Sequence, residues 1–150
     1  MPNILLDLTA SEKIVLPPEK RYIYHPYSDR PKNVPLAACY PYEEIFAEKL
    51  RAFRDRMRPR DLYDIIHLYQ ERHRLPFKVN KRLLLEILRV KCKYKNITVP
   101  TWEITQQHPG LSSLASQWEN MLAHQVPHLD PYEKFWEELP DLFSWLYEKE

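Results

Sequence analysis

Residues 43–64, EEIFAEKLRAFRDRMRPRDLYD, decide how this chain folds and where its reactive side chains gather. At about 100° per residue, Phe46, Leu50, Phe53 and Met57 fall on one side of a helix and predict its buried stripe. Lys49 flanks that stripe with Arg56 near it, whereas Glu48, Arg51, Arg54 and Asp55 point elsewhere and are expected in solvent. Pro59 suits the first position of a second helix, where its missing N–H costs nothing. Asp61 and Asp64 occupy the first turns of that helix, favoured by the positive end of its dipole. Being three apart, they share a flank, beside the stripe of Leu62, Ile65, Ile66 and Tyr69. A lysine and two carboxylates on the packed flanks of consecutive helices can converge on one cleft. The plainer reading is an Asp that only starts a helix and a Lys that snorkels past apolar neighbours.

Upstream, residues 3–9 and 12–16 predict a hairpin about Thr9-Ala10-Ser11. Residues 21–25 predict a third strand, kept short by Pro17, Pro18 and Pro26, and residues 26–35 a proline-rich loop. Residues 36–39 predict one more short strand. Helices follow at 42–57, 60–73, 80–95, 112–125 and 132–148. Asn80 suits the N-cap of the third, Ser112 or Ser113 that of the fourth, and Asp130 with Pro131 the start of the fifth. Pro140 should kink or split the last helix. The linker 96–111, with two prolines and Gly110, is the best internal boundary. The fold class is therefore α+β: short N-terminal strands followed by a mostly helical body of about five helices.

A chain of 150 residues has room for one domain with a core, divisible into two lobes. Its 44% hydrophobic content marks it as globular rather than disordered. Fourteen prolines beside a single glycine imply stiff loops. The net charge of +1 gives no global nucleic-acid signature, but residues 49–60 and 78–95 are basic and residues 130–150 acidic. Each basic run suits either a phosphate partner or a solvated helix face. Cys39 and Cys92 lack paired spacing and read as reduced thiols of a cytosolic protein. No apolar run is long enough for a membrane span, and no signal-type leader is present, so a cytoplasmic location is expected.

Other constellations are weaker. His124 and His128 have helical spacing, but Pro127 lies between them and further metal ligands are lacking. His67 and His73 do not share a face. Trp118, Trp136, Phe143 and Trp145 predict the core of the C-terminal helices. One glycine in the whole chain excludes a Walker A loop, and there is no nucleophile elbow.

The wording of the central stretch closely resembles the AbiEii type of nucleotidyltransferase, the toxin half of abortive-infection toxin–antitoxin systems. Glu43-Glu44, Ala47-Glu48-Lys49-Leu50-x-Ala52 and Arg60-Asp61-x-x-Asp64 match that family's acidic helix start, A-E-K-L-x-A helix and R-D-x-x-D helix start. Ile4-Leu5-Leu6-Asp7-Leu8-Thr9 is similar to the strand carrying the third carboxylate of its polymerase-β-like fold. The resemblance is strong over residues 40–68 and loose beyond residue 76. It implies that residues 1–75 form the C-terminal part of a nucleotidyltransferase core and residues 76–150 a helical lobe. It further implies Asp7, Lys49, Asp61 and Asp64 as catalytic residues, Lys49 and Arg60 as nucleotide contacts, and Arg60 as a brace for the carboxylates. Asp7 would face the metal. The implied substrate is an NTP with Mg²⁺, the acceptor an RNA such as a tRNA, and the partner a cognate antitoxin with a DNA-binding domain.

One departure bears on activity. The family's glycine-rich nucleotide loop and its Asp-x-Asp strand are absent from this sequence, which begins roughly where the third catalytic strand would. Two-metal chemistry needs several carboxylates, so the chain is expected to be inactive alone and to need an N-terminal companion half, or to self-associate through an exposed apolar surface. The alternative is a non-catalytic helical module that binds an antitoxin, RNA or a companion chain.

Overall fold

The computed structural model describes residues 11–148; the expected strand at residues 3–9, with Asp7, lies outside them. The described residues form two strands and seven helices: β1 (Glu19–Tyr22), β2 (Leu36–Cys39), α1 (Tyr42–Arg56), α2 (Pro59–Glu71), α3 (Lys81–Tyr94), α4 (Trp102–Gln106), α5 (Leu111–Leu122), α6 (Tyr132–Glu137) and α7 (Leu139–Tyr147). This is the α+β class, with a helical body.

β1 and β2 pair antiparallel, Glu19 opposite Cys39 and Tyr22 opposite Leu36. The expected strand at residues 21–25 is displaced, because pairing with residues 36–39 selects residues 19–22. Residues 12–16 are not a strand. Two of their donors are taken elsewhere: the Val15 and Leu16 N–H groups donate to Glu44 Oε1 and Oε2 at 3.1 and 3.0 Å.

α1 begins with Glu43 and Glu44 and ends with Arg54 and Arg56, both complementary to its dipole. It stops because Pro59 forces Arg58 into extended backbone (φ −98°, ψ 149°). Pro59 then opens α2 as anticipated. α1 is buried on several sides: beyond the predicted stripe, Ala47 and Ala52 allow close approach, and Glu44 and Arg51 are buried as well. α2 folds back against it. α3 runs beside it in the same direction, Asn80 N–H meeting Glu43 Oε1 near the starts (3.0 Å) and Arg54 meeting Thr98 near the ends.

Asn80 caps α3, its side chain accepting from Leu83 N–H at 3.0 Å. At the other end Asn96 takes the left-handed conformation (φ 55°), and Ile97 and Asn96 N–H groups return to the Cys92 and Lys93 carbonyls. α4 falls inside the expected linker, where Thr101 Oγ1 accepts from Ile104 N–H. α5 starts at Gly110 rather than at a serine cap; Ser113 Oγ donates to the Gly110 carbonyl instead. The last predicted helix divides at Glu138 into α6 and α7, with Pro140 in the first turn of α7. Asp130 does not cap α6: its carboxylate accepts from Lys134, and its carbonyl accepts from Trp118 Nε1 at 3.0 Å.

One apolar cluster runs from Phe46 to Leu146 and includes Trp118 and Phe143, with Trp136 and Trp145 packed against it. No helix of the described residues is long and apolar enough to cross a membrane.

Candidate functional site

α2 folds back along α1 from the turn, and residues seven apart on α1 (Arg56, Lys49, Tyr42) reach residues three or four apart on α2 (Asp61, Asp64, Leu68). Three polar rungs result. Nearest the turn, Arg56 donates from Nε and Nη2 to both oxygens of Asp61, each at 2.7 Å. One repeat further, Lys49 Nζ donates to Asp64 Oδ2 at 2.5 Å. Beyond that, the Tyr42 hydroxyl donates to the Leu68 carbonyl. Burial and the neighbouring Glu71 carboxylate push this phenol up to about 12.

The two ion pairs differ in accessibility. The Asp61 side chain is 0% exposed, so its bidentate guanidinium is what permits a buried carboxylate there. Lys49 and Asp64 are 36% and 34% exposed, open to an incoming ligand. Arg60, expected to brace the carboxylates, is exposed and makes no hydrogen bond or ion pair among the described residues. The brace is Arg56, whose pKa is raised chiefly by its hydrogen bond to Asp61.

Lys49 and Arg56 line a cleft of about 370 Å³ between α1, α3 and residues 11–13. Lys13, Lys49, Arg51, Arg56, Lys91 and Lys95 line it with Glu12, Glu48 and Asp55, and Lys49, Arg56 and Lys91 are paired with Asp64, Asp61 and Glu44 behind the lining. Asp61 and Asp64 are not part of its lining; they stand behind the two cations they hold.

The wall of this cleft was not anticipated. Glu48, Arg51 and Asp55, expected in solvent, are a linked set: Arg51 donates to Glu48 Oε1 at 2.6 Å and to Asp55 Oδ2 at 2.8 Å. Arg51 is buried because α3 covers that side of α1. Lys91, 1% exposed, reaches from α3 to Glu44 Oε1 at 2.7 Å, Glu48 Oε2 at 3.1 Å and the Lys13 carbonyl at 2.7 Å. The sequence offered one signal: Ala47 and Ala52, lying off the main stripe, mark α1 as a helix packed on more than one side.

No group of three or more His, Cys, Asp or Glu side chains suited to a metal ion occurs among the described residues. Asp61 and Asp64 are each neutralised by a cation of the chain, so the described residues do not fit Mg²⁺.

The chain belongs to the nucleotidyl transferase AbiEii toxin family of type IV toxin–antitoxin systems, whose family model matches residues 1–148. No curated protein and no solved structure matches it. A toxin of this class implies a cognate antitoxin.

Proposed function

We propose that this chain carries the phosphate-binding lysine and the carboxylates of a nucleotidyl-transfer centre that moves a nucleotide from an NTP to an RNA acceptor, with tRNA ends as leading substrates. The observation that supports it most is the Lys49–Asp64 pair, 36% and 34% exposed, whose lysine lines the cleft while its carboxylate stands behind. An incoming triphosphate competes for the Lys49 ammonium and releases Asp64. The freed carboxylate takes the proton of the acceptor hydroxyl. The hydroxyl oxygen bonds to the α-phosphorus, the bond to pyrophosphate breaks, and the departing charge stays on Lys49. Buried Asp61, held by Arg56, fixes the start of α2 and so positions Asp64. Arg60, exposed on the first turn of α2, is a second phosphate contact, and Asp7 is the third carboxylate.

Residues 1–75 then serve as the core part and residues 76–150 as a helical lobe, in a cytoplasmic protein bound by its antitoxin. The glycine loop and Asp-x-Asp strand lacking from this sequence come from residues outside it. A second reading, a binding module without chemistry, draws support from the neutralisation of both carboxylates by the chain's own cations.

The test is transfer of label from an α-labelled NTP to RNA, by the chain alone and with its companion. Lys49→Ala should abolish transfer while leaving the helical circular dichroism unchanged. Full transfer by Lys49→Ala sinks the assignment. A partner complex indifferent to NTP, without transfer under either condition, selects the binding module.

A further inference from the structure

We infer that the β1–β2 hairpin is a docking platform for single-stranded RNA, on which exposed tyrosines stack bases and flanking cations hold the phosphates. This deepens the acceptor half of the proposed function and rests on that reading. Tyr22, Tyr24 and Tyr27 are 75%, 87% and 71% exposed, the three most exposed large hydrophobic side chains among the described residues. A folded chain covers such rings where it can, since each carries a large apolar area. Three together on the hairpin and its loop are an uncovered aromatic surface.

The geometry suits successive bases. Ile23 N–H donates to the Pro35 carbonyl, so the ladder continues past the Tyr22–Leu36 pair. Alternate residues of an extended strand face the same side, which puts Tyr22 and Tyr24 on one face, about 6.8 Å apart along the strand. Neighbouring unstacked bases can each take one ring.

Charge selects the kind of partner. Glu19 is tied to Arg21 at 2.8 Å, and Asp29 lies 3.7 Å from His25. Lys20, Arg30 and Lys32 make no ion pair among the described residues. Tyr22, Arg30 and Lys32 line a concavity of about 440 Å³ together with Asn33 and Val34, and no acidic side chain shares it. Tyrosines also suit protein partners, and Ile23 and Leu36 are half exposed beside them. The unpaired cations flanking the rings decide for a polyanion with stackable faces.

The experiment is fluorescence anisotropy of a labelled oligouridylate of about 12 nucleotides, titrated with the full chain at low salt, without NTP or metal. The Tyr22→Ala/Tyr24→Ala variant should lose affinity by about 30-fold or more, with an unchanged thermal midpoint. Tyr22→Phe/Tyr24→Phe should retain binding, because a phenyl face still stacks. The triple variant Lys20→Ala/Arg30→Ala/Lys32→Ala should flatten the salt dependence by about two units of log–log slope. Unchanged binding in the tyrosine double variant overturns the inference. So does a wild-type chain that ignores the RNA while the same double variant releases a co-expressed antitoxin, which assigns the hairpin to a protein partner. Binding is read without catalysis, so a wild-type chain that binds the RNA, loses it in the tyrosine double variant and never transfers nucleotide removes the transfer reading and leaves the platform standing.

Discussion

Replacing Lys91 by Met tests how the cleft wall is held together. Lys91 is 1% exposed, and its ammonium contacts Glu44 and Glu48 at 2.7 and 3.1 Å. Methionine keeps most of the aliphatic length and removes the charge, leaving Glu44, itself 0% exposed, without its cation. Breaking a buried pair from one side costs about 3–5 kcal/mol, because the stranded charge stays desolvated. Glu44 keeps two backbone N–H donors, from Val15 and Leu16, and Glu48 keeps Arg51. The expected loss is therefore near the lower end, about 3 kcal/mol, or some 6–12 °C in thermal midpoint for a chain of this size. Urea unfolding monitored by circular dichroism reads it, with the slope checked for two-state behaviour. The Glu44→Gln/Lys91→Met double variant removes both charges and should recover more than half of the loss. A Lys91→Met chain within about 0.5 kcal/mol of wild type, or a double variant worse than the single, refutes the reasoning.

Three further outcomes follow from the same geometry. Gly110→Ala should destabilise by about 1–3 kcal/mol in urea unfolding, since the added Cβ would meet Met57 Cβ at 3.0 Å and the His108 ring at 3.1 Å. Arg56→Ala should cost more than Asp61→Asn, about 3 kcal/mol or above against 1–2, because only the first leaves a charge buried; the reverse order in the same assay would contradict Asp61 as the buried charge that Arg56 compensates. Burial pushes the Cys92 thiol up to about 11 and the Tyr42, Tyr132 and Tyr147 phenols up to about 12. The unfolded chain loses these protons first, so urea midpoints should fall as pH rises through roughly 9 to 12. His108 is shifted the other way, lowered by burial and then by Arg54, so stability should also decline as pH drops below about 6.5.

Much of this arrangement was legible in residues 43–64, and the reasons are local. The stripe of α1, the proline break and the acid pair on α2 put Lys49 and Asp64 on facing flanks, and the structure joins them at 2.5 Å. The resemblance implies Arg60 as the brace, but Arg56 holds Asp61. Adjacent residues of a helix diverge by about 100°, whereas Arg56 arrives from the preceding helix across the turn. Glu44 and Lys91 could not be recognised, since each looks like a surface charge until α3 and residues 13–16 close over it. The expected strand at 12–16 failed for the same reason: Glu44 takes donors that a ladder would need. Capping at Asn80 was read correctly from one residue type, while α5 began earlier than its serines suggested, at the glycine that fits against Met57.

The most direct measurement is calorimetric titration of the full chain with an NTP, comparing wild type, Lys49→Ala and Asp64→Asn. If Lys49 is the phosphate ligand and Asp64 the carboxylate that masks it, Lys49→Ala weakens binding by about tenfold or more (~1.4 kcal/mol). Asp64→Asn, which removes the competitor, leaves affinity equal or tighter. Binding untouched by Lys49→Ala, or weakened equally by both changes, would make the pair a structural rung of the α1–α2 zipper and contradict its role at a transfer centre.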